Sequence, residues 1–168
     1  MTFKILFSAT SLLTLSLLAP SCGGKDKDKE SDPCALTTCY NNGYCLNGSC
    51  QCPDWYEGSD CSQEVRSKFY GSYYGLYKAE NAFGTISNLV TIGFDASPAG
   101  VQFIRFNGGS IRLQLLSTTG SFIVPVQSAS GLQIEAGYGN FSGNQVFCTF
   151  GGKDNTGSYQ THTFNGIR

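Results

Sequence analysis

Cysteine is the residue type with the widest range of chemistry in this chain. The 168 residues include eight cysteines and one histidine, His162. Cysteines form disulfides, bind metals or carry a lipid, and eight of them in a short chain indicate an oxidising compartment or one of these modifications. They fall into three groups: Cys22 alone, six between Cys34 and Cys61, and Cys148 alone.

Cys22 follows an apolar leader. The stretch from residue 5 to residue 18 is interrupted only by Ser and Thr, and a run of about 14 residues is short for a membrane span, which needs roughly 20. Residues 1–21 are therefore predicted to be a secretory signal. Residues 18–22 read LAPSC and resemble the lipobox of bacterial lipoproteins, which implies cleavage before Cys22 and its acylation. Ordinary cleavage near Ser21, leaving Cys22 as a free thiol, is the alternative.

Residues 22–31 read CGGKDKDKES, with alternating charge and no apolar side chain after the cysteine. This composition predicts a disordered tether. Gly-Gly and charge directly after the cysteine resemble lipoproteins of the Bacteroidota. That resemblance implies a protein held in the bacterial outer membrane through acylated Cys22 and facing the cell surface, with the lipid bilayer as one partner.

Six cysteines lie within 28 residues, a length that cannot close a hydrophobic core without covalent or metal staples. Zinc favours Cys-x2-Cys pairs or nearby histidines, and the segment contains neither. Disulfides are therefore predicted, although spacing alone leaves 15 pairings open. Asn47-Gly48 is typical of a hairpin turn and predicts a two-stranded ribbon around Gly43–Cys52.

The five cysteine gaps, Gly43 before the third cysteine and the late Gly58 together resemble an EGF-like domain over residues 32–63. The resemblance implies the pairs Cys34–Cys45, Cys39–Cys50 and Cys52–Cys61. Calcium-binding members carry more acidic and amide residues than Asp32 supplies here. Neither a metal nor a cofactor is expected.

Residues 66–168 show short runs rich in β-formers, separated by Gly, Asn, Ser and Asp clusters. They predict about eight antiparallel strands that form a barrel, lipocalin-like in outline, or a sandwich. The candidate strands are Phe69–Tyr77, Leu89–Asp95, Gly100–Phe106, Ile111–Ser117, Phe122–Val126, Leu132–Tyr138, Gln145–Phe150 and Tyr159–Phe164.

Alternation within three of these runs predicts which side chains face the core. The predicted inward sets are Ile111, Leu113 and Leu115; Leu132, Ile134, Ala136 and Tyr138; and Val146, Cys148 and Phe150.

Candidate catalytic residues are few. His162 has no second histidine or nucleophile motif near it in sequence, so it is predicted to be exposed or on an edge strand. Cys148 is predicted to be a buried small hydrophobe. The acids Asp95 and Asp154 fall at turns, where they satisfy backbone groups. The chain is therefore expected not to be an enzyme, with a hydrolase kept as a remote alternative.

Aromatic and basic side chains offer a candidate ligand surface. Aromatics with a polar tip suit binding grooves as well as sheet packing, and two arginines on neighbouring strands, facing the barrel lumen together, would favour an anionic ligand. The candidate residues are Tyr70, Tyr73, Tyr74, Tyr77, Arg105 and Arg112.

Charge excludes one class of partner. Lys and Arg total 11 against 12 for Asp and Glu, and without a basic excess nucleic-acid binding is not expected. Residues 61–73 resemble the junction in a group of Bacteroidota proteins that join an EGF-like module to a β domain. The leading hypothesis is a non-enzymatic binding or adhesion module for a protein or glycan. The alternative is a lipocalin-like carrier of a small molecule.

Overall fold

The computed structural model describes residues 32–106 and 110–168. The predicted signal peptide (1–21), the lipidation of Cys22 and the predicted tether (22–31) lie outside the described residues. Within the described ranges, no helix has both the length and the apolar character needed to cross a bilayer.

The N-terminal module is held by three disulfides, with the pairing that the EGF-like resemblance implies. Each closes a loop whose cysteines are 9 or 11 positions apart, so each stabilises the module by about 3 kcal/mol through the entropy it removes from the unfolded chain. The pairs are Cys34–Cys45, Cys39–Cys50 and Cys52–Cys61.

A hairpin forms the centre of this module. Strands β1 (Tyr44–Leu46) and β2 (Ser49–Gln51) pair antiparallel. The turn between them places Asn47 at φ 51° and Gly48 at φ 81°, the left-handed conformation that two-residue hairpin turns require. The predicted ribbon is confirmed.

A short segment joins the module to the following sheet. Strand β3 (Tyr56–Glu57) pairs with β4 (Gln63–Glu64), and a 3₁₀ helix, Val65–Phe69, follows directly. The Trp55 side chain packs against the core of the sheet, and its carbonyl accepts a hydrogen bond from the Val65 amide at 2.9 Å. The module therefore contacts the same end of the sheet as this helix, which we call the plug helix.

Eight of the nine remaining strands form a closed antiparallel barrel, and the short β10 pairs with the first residues of β11. Neighbours in sequence pair with each other, β9 pairs with β11 past the short β10, and β13 returns to β5. Closure shows that the predicted sheet is a barrel and not a sandwich. The strands are β5 (Gly71–Asn81), β6 (Gly84–Ala96), β7 (Phe103–Phe106), β8 (Ile111–Leu115), β9 (Ser121–Val124), β10 (Gln127–Ala129), β11 (Leu132–Ser142), β12 (Gln145–Asp154) and β13 (Tyr159–Ile167).

Most of the predicted alternation is confirmed. Two predicted inward sets face the interior and are buried: Ile111, Leu113 and Leu115 on β8, and Val146, Cys148 and Phe150 on β12. Strand β11 differs, because a β-bulge lies between Ile134 and Ala136. Beyond the bulge the faces exchange, so Ala136 and Tyr138 point to solvent and the predicted inward position of both was wrong. A bulge adds one residue to one strand and therefore shifts the parity of all that follows.

Phe141, at the far end of β11, is the centre of the core. Its ring stacks on Phe69 of the plug helix at 4.8 Å between centroids and contacts Phe94 at 5.2 Å, Phe122 at 5.1 Å and Tyr73 at 5.9 Å. All of these side chains are buried. One aromatic cluster thus joins the plug helix to four strands and fills that end of the barrel.

Arg66 fixes the plug helix. The guanidinium is buried with 7% of the residue exposed, and Nη1 lies 2.8, 2.7 and 2.8 Å from the carbonyl oxygens of Ser97, Gly100 and Phe103. Nε donates to Glu64 at 2.7 Å. A buried charge needs such partners to offset its desolvation, so the helix is held to the loop between β6 and β7.

We predict that Phe141→Ala lowers the free energy of unfolding by about 3–5 kcal/mol, because it leaves a cavity among four rings. Phe83→Ala is the matched control. Phe83 is 91% exposed, and its removal should change stability by less than about 0.5 kcal/mol. Urea unfolding followed by tryptophan fluorescence measures both, and similar losses in the two variants would contradict the assigned role of Phe141.

Candidate ligand cavity

The barrel interior is unfilled at the end opposite the plug helix, where a cavity of about 550 Å³ lies inside the strands. Its wall combines apolar side chains with polar groups in comparable measure. The lining side chains include Tyr77, Val90, Leu132, Phe150, Asp154 and His162.

His162 is part of the cavity wall, so the prediction of an exposed or edge-strand histidine was wrong. It lies on β13 between β12 and β5 and is 4% exposed. Its ring stacks on Phe150, 4.8 Å away between centroids. The available signal was alternation with Phe164, which lies two positions on and is equally buried.

Tyr77 and His162 form a hydrogen-bonded pair. The Tyr77 hydroxyl lies 2.5 Å from His162 Nδ1, while His162 Nε2 is buried and has no hydrogen-bond partner among the described residues. Burial lowers the pKa of His162 below its ordinary value of 6.5 and raises the pKa of Tyr77, with the nearby Cys148 adding to the rise. A neutral imidazole beside a protonated phenol is the state these shifts favour.

Asp154 is the ionised group at the rim. Its Oδ1 accepts hydrogen bonds from the amides of Thr156 at 2.9 Å and Ser158 at 3.0 Å, and its Oδ2 accepts one from Gln160 at 3.0 Å. The hydrogen bond from the Thr156 side chain is the largest cause that lowers the pKa of Asp154, followed by these backbone bonds. This carboxylate holds the turn between β12 and β13 and stays charged.

The four candidate tyrosines do not form one surface. Tyr73 is fully buried in the aromatic core and Tyr77 lines the cavity. Tyr74 points outward and is 52% exposed. Tyr70 precedes β5, and its buried hydroxyl has no partner in the described part of the chain. Of the four, Tyr77 alone belongs to the cavity.

Arg105 and Arg112 lie opposite each other on β7 and β8, as expected of neighbours, but they face away from the lumen. Arg105 forms a bidentate ion pair with Asp95 at 3.0 and 3.1 Å, and Arg112 lies over the outer face of Phe103. Their predicted place in the lumen was wrong. Ile104 and Ile111, which take the alternate positions, are buried instead.

Cys148 is the free cysteine among the described residues. It is fully buried, as predicted, and burial raises the pKa of its thiol to about 12. A thiol in that state is a poor nucleophile. In the described ranges, no group of three or more His, Cys, Asp or Glu side chains is placed to hold a metal ion.

Comparison with known proteins gives a match over a small part of the chain. No family model matches the chain. A stretch of 48 residues is 44% identical to the protein tag-53 of Caenorhabditis elegans; it covers 29% of this chain and 4% of the length of that protein.

We predict that His162 makes stability depend on pH. The unfolded chain protonates it near the ordinary pKa of 6.5, whereas the folded chain holds a lowered pKa. The unfolded state therefore binds more protons as the pH falls through this window, and the free energy of unfolding decreases from above the unfolded pKa down towards the folded one.

Urea midpoints measured from about pH 7.5 to pH 5.5 test this prediction. The groups facing His162 do not titrate there, because Tyr77 and Cys148 have raised pKa values and Asp154 a lowered one. His162→Phe should remove the slope in this window, and Tyr77→Phe, which keeps the imidazole, should retain one. An unchanged slope in His162→Phe would assign the effect to another group.

Proposed function

We propose that this chain is an exported, lipid-anchored binding protein that carries a small molecule in its barrel. The observation that carries the proposal is the cavity of about 550 Å³ inside an otherwise filled barrel. Volumes of this order suit small-molecule sites, which are typically concave, largely apolar and furnished with a few polar groups. Between the two binding hypotheses, this cavity favours the carrier.

The surroundings of His162 support a binding role over hydrolysis. A histidine base needs a nucleophile and an orienting group within reach. Here Nδ1 is bonded to the phenol of Tyr77, and the carboxylate of Asp154 is occupied by its own turn. The groups around the cavity therefore favour binding over hydrolysis. We propose that the chain is not an enzyme.

Adhesion to a protein or glycan is the second candidate. The most exposed apolar side chains of the β5–β6 hairpin are Phe83, Ile86 and Leu89, which are 91%, 65% and 65% exposed. Apolar groups in such a position favour contact with a partner.

The proposed location is the bacterial outer membrane, with the folded part facing the cell surface. The leader ending at Cys22 and the charged residues after it support export and acylation. The three disulfides support an oxidising compartment. Two or more acyl chains on Cys22 would give stable anchoring.

The cavity is tested with Val90→Trp, which places a large side chain inside it. Val90 lines the cavity, whereas its neighbour Leu89 points outward and is 65% exposed, so Leu89→Trp is the matched control. We expect a neutral, polarity-sensitive fluorophore such as Prodan to bind the wild type and Leu89→Trp, with at least a tenfold weaker affinity for Val90→Trp. Equal affinity for all three proteins would place binding outside the cavity.

The anchor is tested with Cys22→Ser in the bacterial host. We expect the wild type to enter the detergent phase on Triton X-114 partitioning and the variant to stay in the aqueous phase, because the acyl chains supply the membrane affinity. Mass spectrometry of the mature N-terminus gives the second readout. An unmodified Cys22 in the wild type would refute acylation and leave the cavity proposal standing.

A further inference from the structure

We infer that the ligand of the cavity carries a positively charged group, such as an ammonium, which lies at the mouth of the barrel beside Asp154, while an apolar body fills the space beneath it. The inference rests on the proposed function and adds the chemical class of the ligand. It follows from the order of side chains along two neighbouring strands and from the charges that face the cavity.

The inner faces of β12 and β13 change from apolar to polar towards the mouth of the barrel. Phe150 and His162 are opposite each other in the register, and both are 4% exposed. Asp154 on β12 and Gln160 on β13 line the same cavity further from the plug helix, and Gln160 Nε2 donates to Asp154 Oδ2 at 3.0 Å. A bound molecule therefore meets aromatic rings at depth and a carboxylate near the mouth.

The carboxylate gives the mouth a net negative charge. Asp154 is the one ionised side chain among the cavity-lining residues that the structure describes. Its hydrogen-bond donors, on Thr156, Ser158 and Gln160, are all neutral. These bonds lower the pKa of Asp154, so they keep the carboxylate ionised without cancelling its charge.

The nearby basic side chains leave this charge uncompensated. Lys153, the chain neighbour of Asp154, forms an ion pair with Glu135 at 3.0 Å, and both side chains are about half exposed. Arg105 and Arg112 point away from the lumen. Burial lowers the pKa of His162, which favours the neutral imidazole. Coulomb interaction with the cavity wall therefore attracts a cation and repels a carboxylate.

Asp154 also has room for one more donor. Its Oδ1 accepts three hydrogen bonds from Thr156 and Ser158, whereas Oδ2 accepts one, from Gln160. A carboxylate oxygen has two lone pairs, so an ammonium N–H can bind Oδ2 without displacing the turn. An alkylated ammonium would gain the charge attraction alone.

The deeper wall suits an apolar body attached to this group. Val90, Phe106, Ile111 and Phe150 line that part of the cavity, and burial of apolar surface against them is favourable. Aromatic rings also tolerate a cation close to their faces. An amphiphilic organic cation therefore matches both halves of the wall.

Three probes that share the naphthyl ketone of Prodan test the inference with the full chain. One N-methyl group is replaced by 2-(trimethylammonio)ethyl, by its neutral isostere 3,3-dimethylbutyl, or by 2-carboxyethyl. At low ionic strength we expect the wild type to bind the cation about threefold or more tightly than the isostere, as one partly exposed charge pair allows, and the carboxylate most weakly. Added salt should narrow these differences.

Asp154→Asn is the test variant, because it removes the charge and keeps a side-chain oxygen for the turn. It should bind the cation and the isostere with equal affinity. Glu135→Gln is the matched control, since it removes one negative charge on the outer face of the same barrel and should keep the preference for the cation. An equal loss of preference in both variants would assign the effect to overall charge and overturn the inference.

The wild-type affinities separate this inference from the proposed function. Equal affinities for the cation and the isostere, or the tightest binding by the carboxylate, would overturn the inference and leave the carrier proposal intact. Absence of binding by all three probes would refute the carrier proposal, and the inference with it. This comparison and its salt dependence need no variant, so they decide the question even if Asp154→Asn fails to fold.

Discussion

The packing of Phe141 against rings from the plug helix and from three other strands is the contact on which the barrel depends. A closed eight-stranded sheet encloses a volume that side chains must fill. Here large aromatic groups fill one end, and on β11 the bulge brings Phe141 to the inner face to complete them. The inward position two residues before it is Gly139, where a β-carbon would collide with the ring of Phe122. The space that these rings do not reach is the cavity.

The disulfide-rich module and the cavity lie at opposite ends of the barrel. The disulfide-rich module contacts the barrel at the plug-helix end, through Trp55 and the bonds of Val65. The cavity lies at the other end, near the turn that Asp154 stabilises. The chain therefore enters the barrel on the side away from the cavity, and a ligand can approach without crossing the module.

Alternation along the chain was sufficient to predict eight strands and most of their inward residues, because burial on one face imposes a period of two. The predicted inward positions of Ala136 and Tyr138 were wrong, because the bulge is a backbone irregularity that no residue type near Ile134 indicates. The cavity was harder to predict. The outward position of Arg105 follows from its apolar neighbours Ile104 and Phe106, but the pairing of Tyr77 with His162 joins residues 85 positions apart. That contact depends on barrel closure, which the sequence pattern alone left open.

The pairing of β5 with β13 has a consequence for how the chain acquires its structure. The first strand of the barrel finds its second neighbour only after about 80 intervening residues have been made, and the Arg168 guanidinium binds the carbonyl of Tyr70 across 98 positions. Such long-range contacts slow the search for the native topology, and until they form, β5 presents an open edge to other chains. That edge is covered only when the strand Tyr159–Ile167 has been added to the sheet.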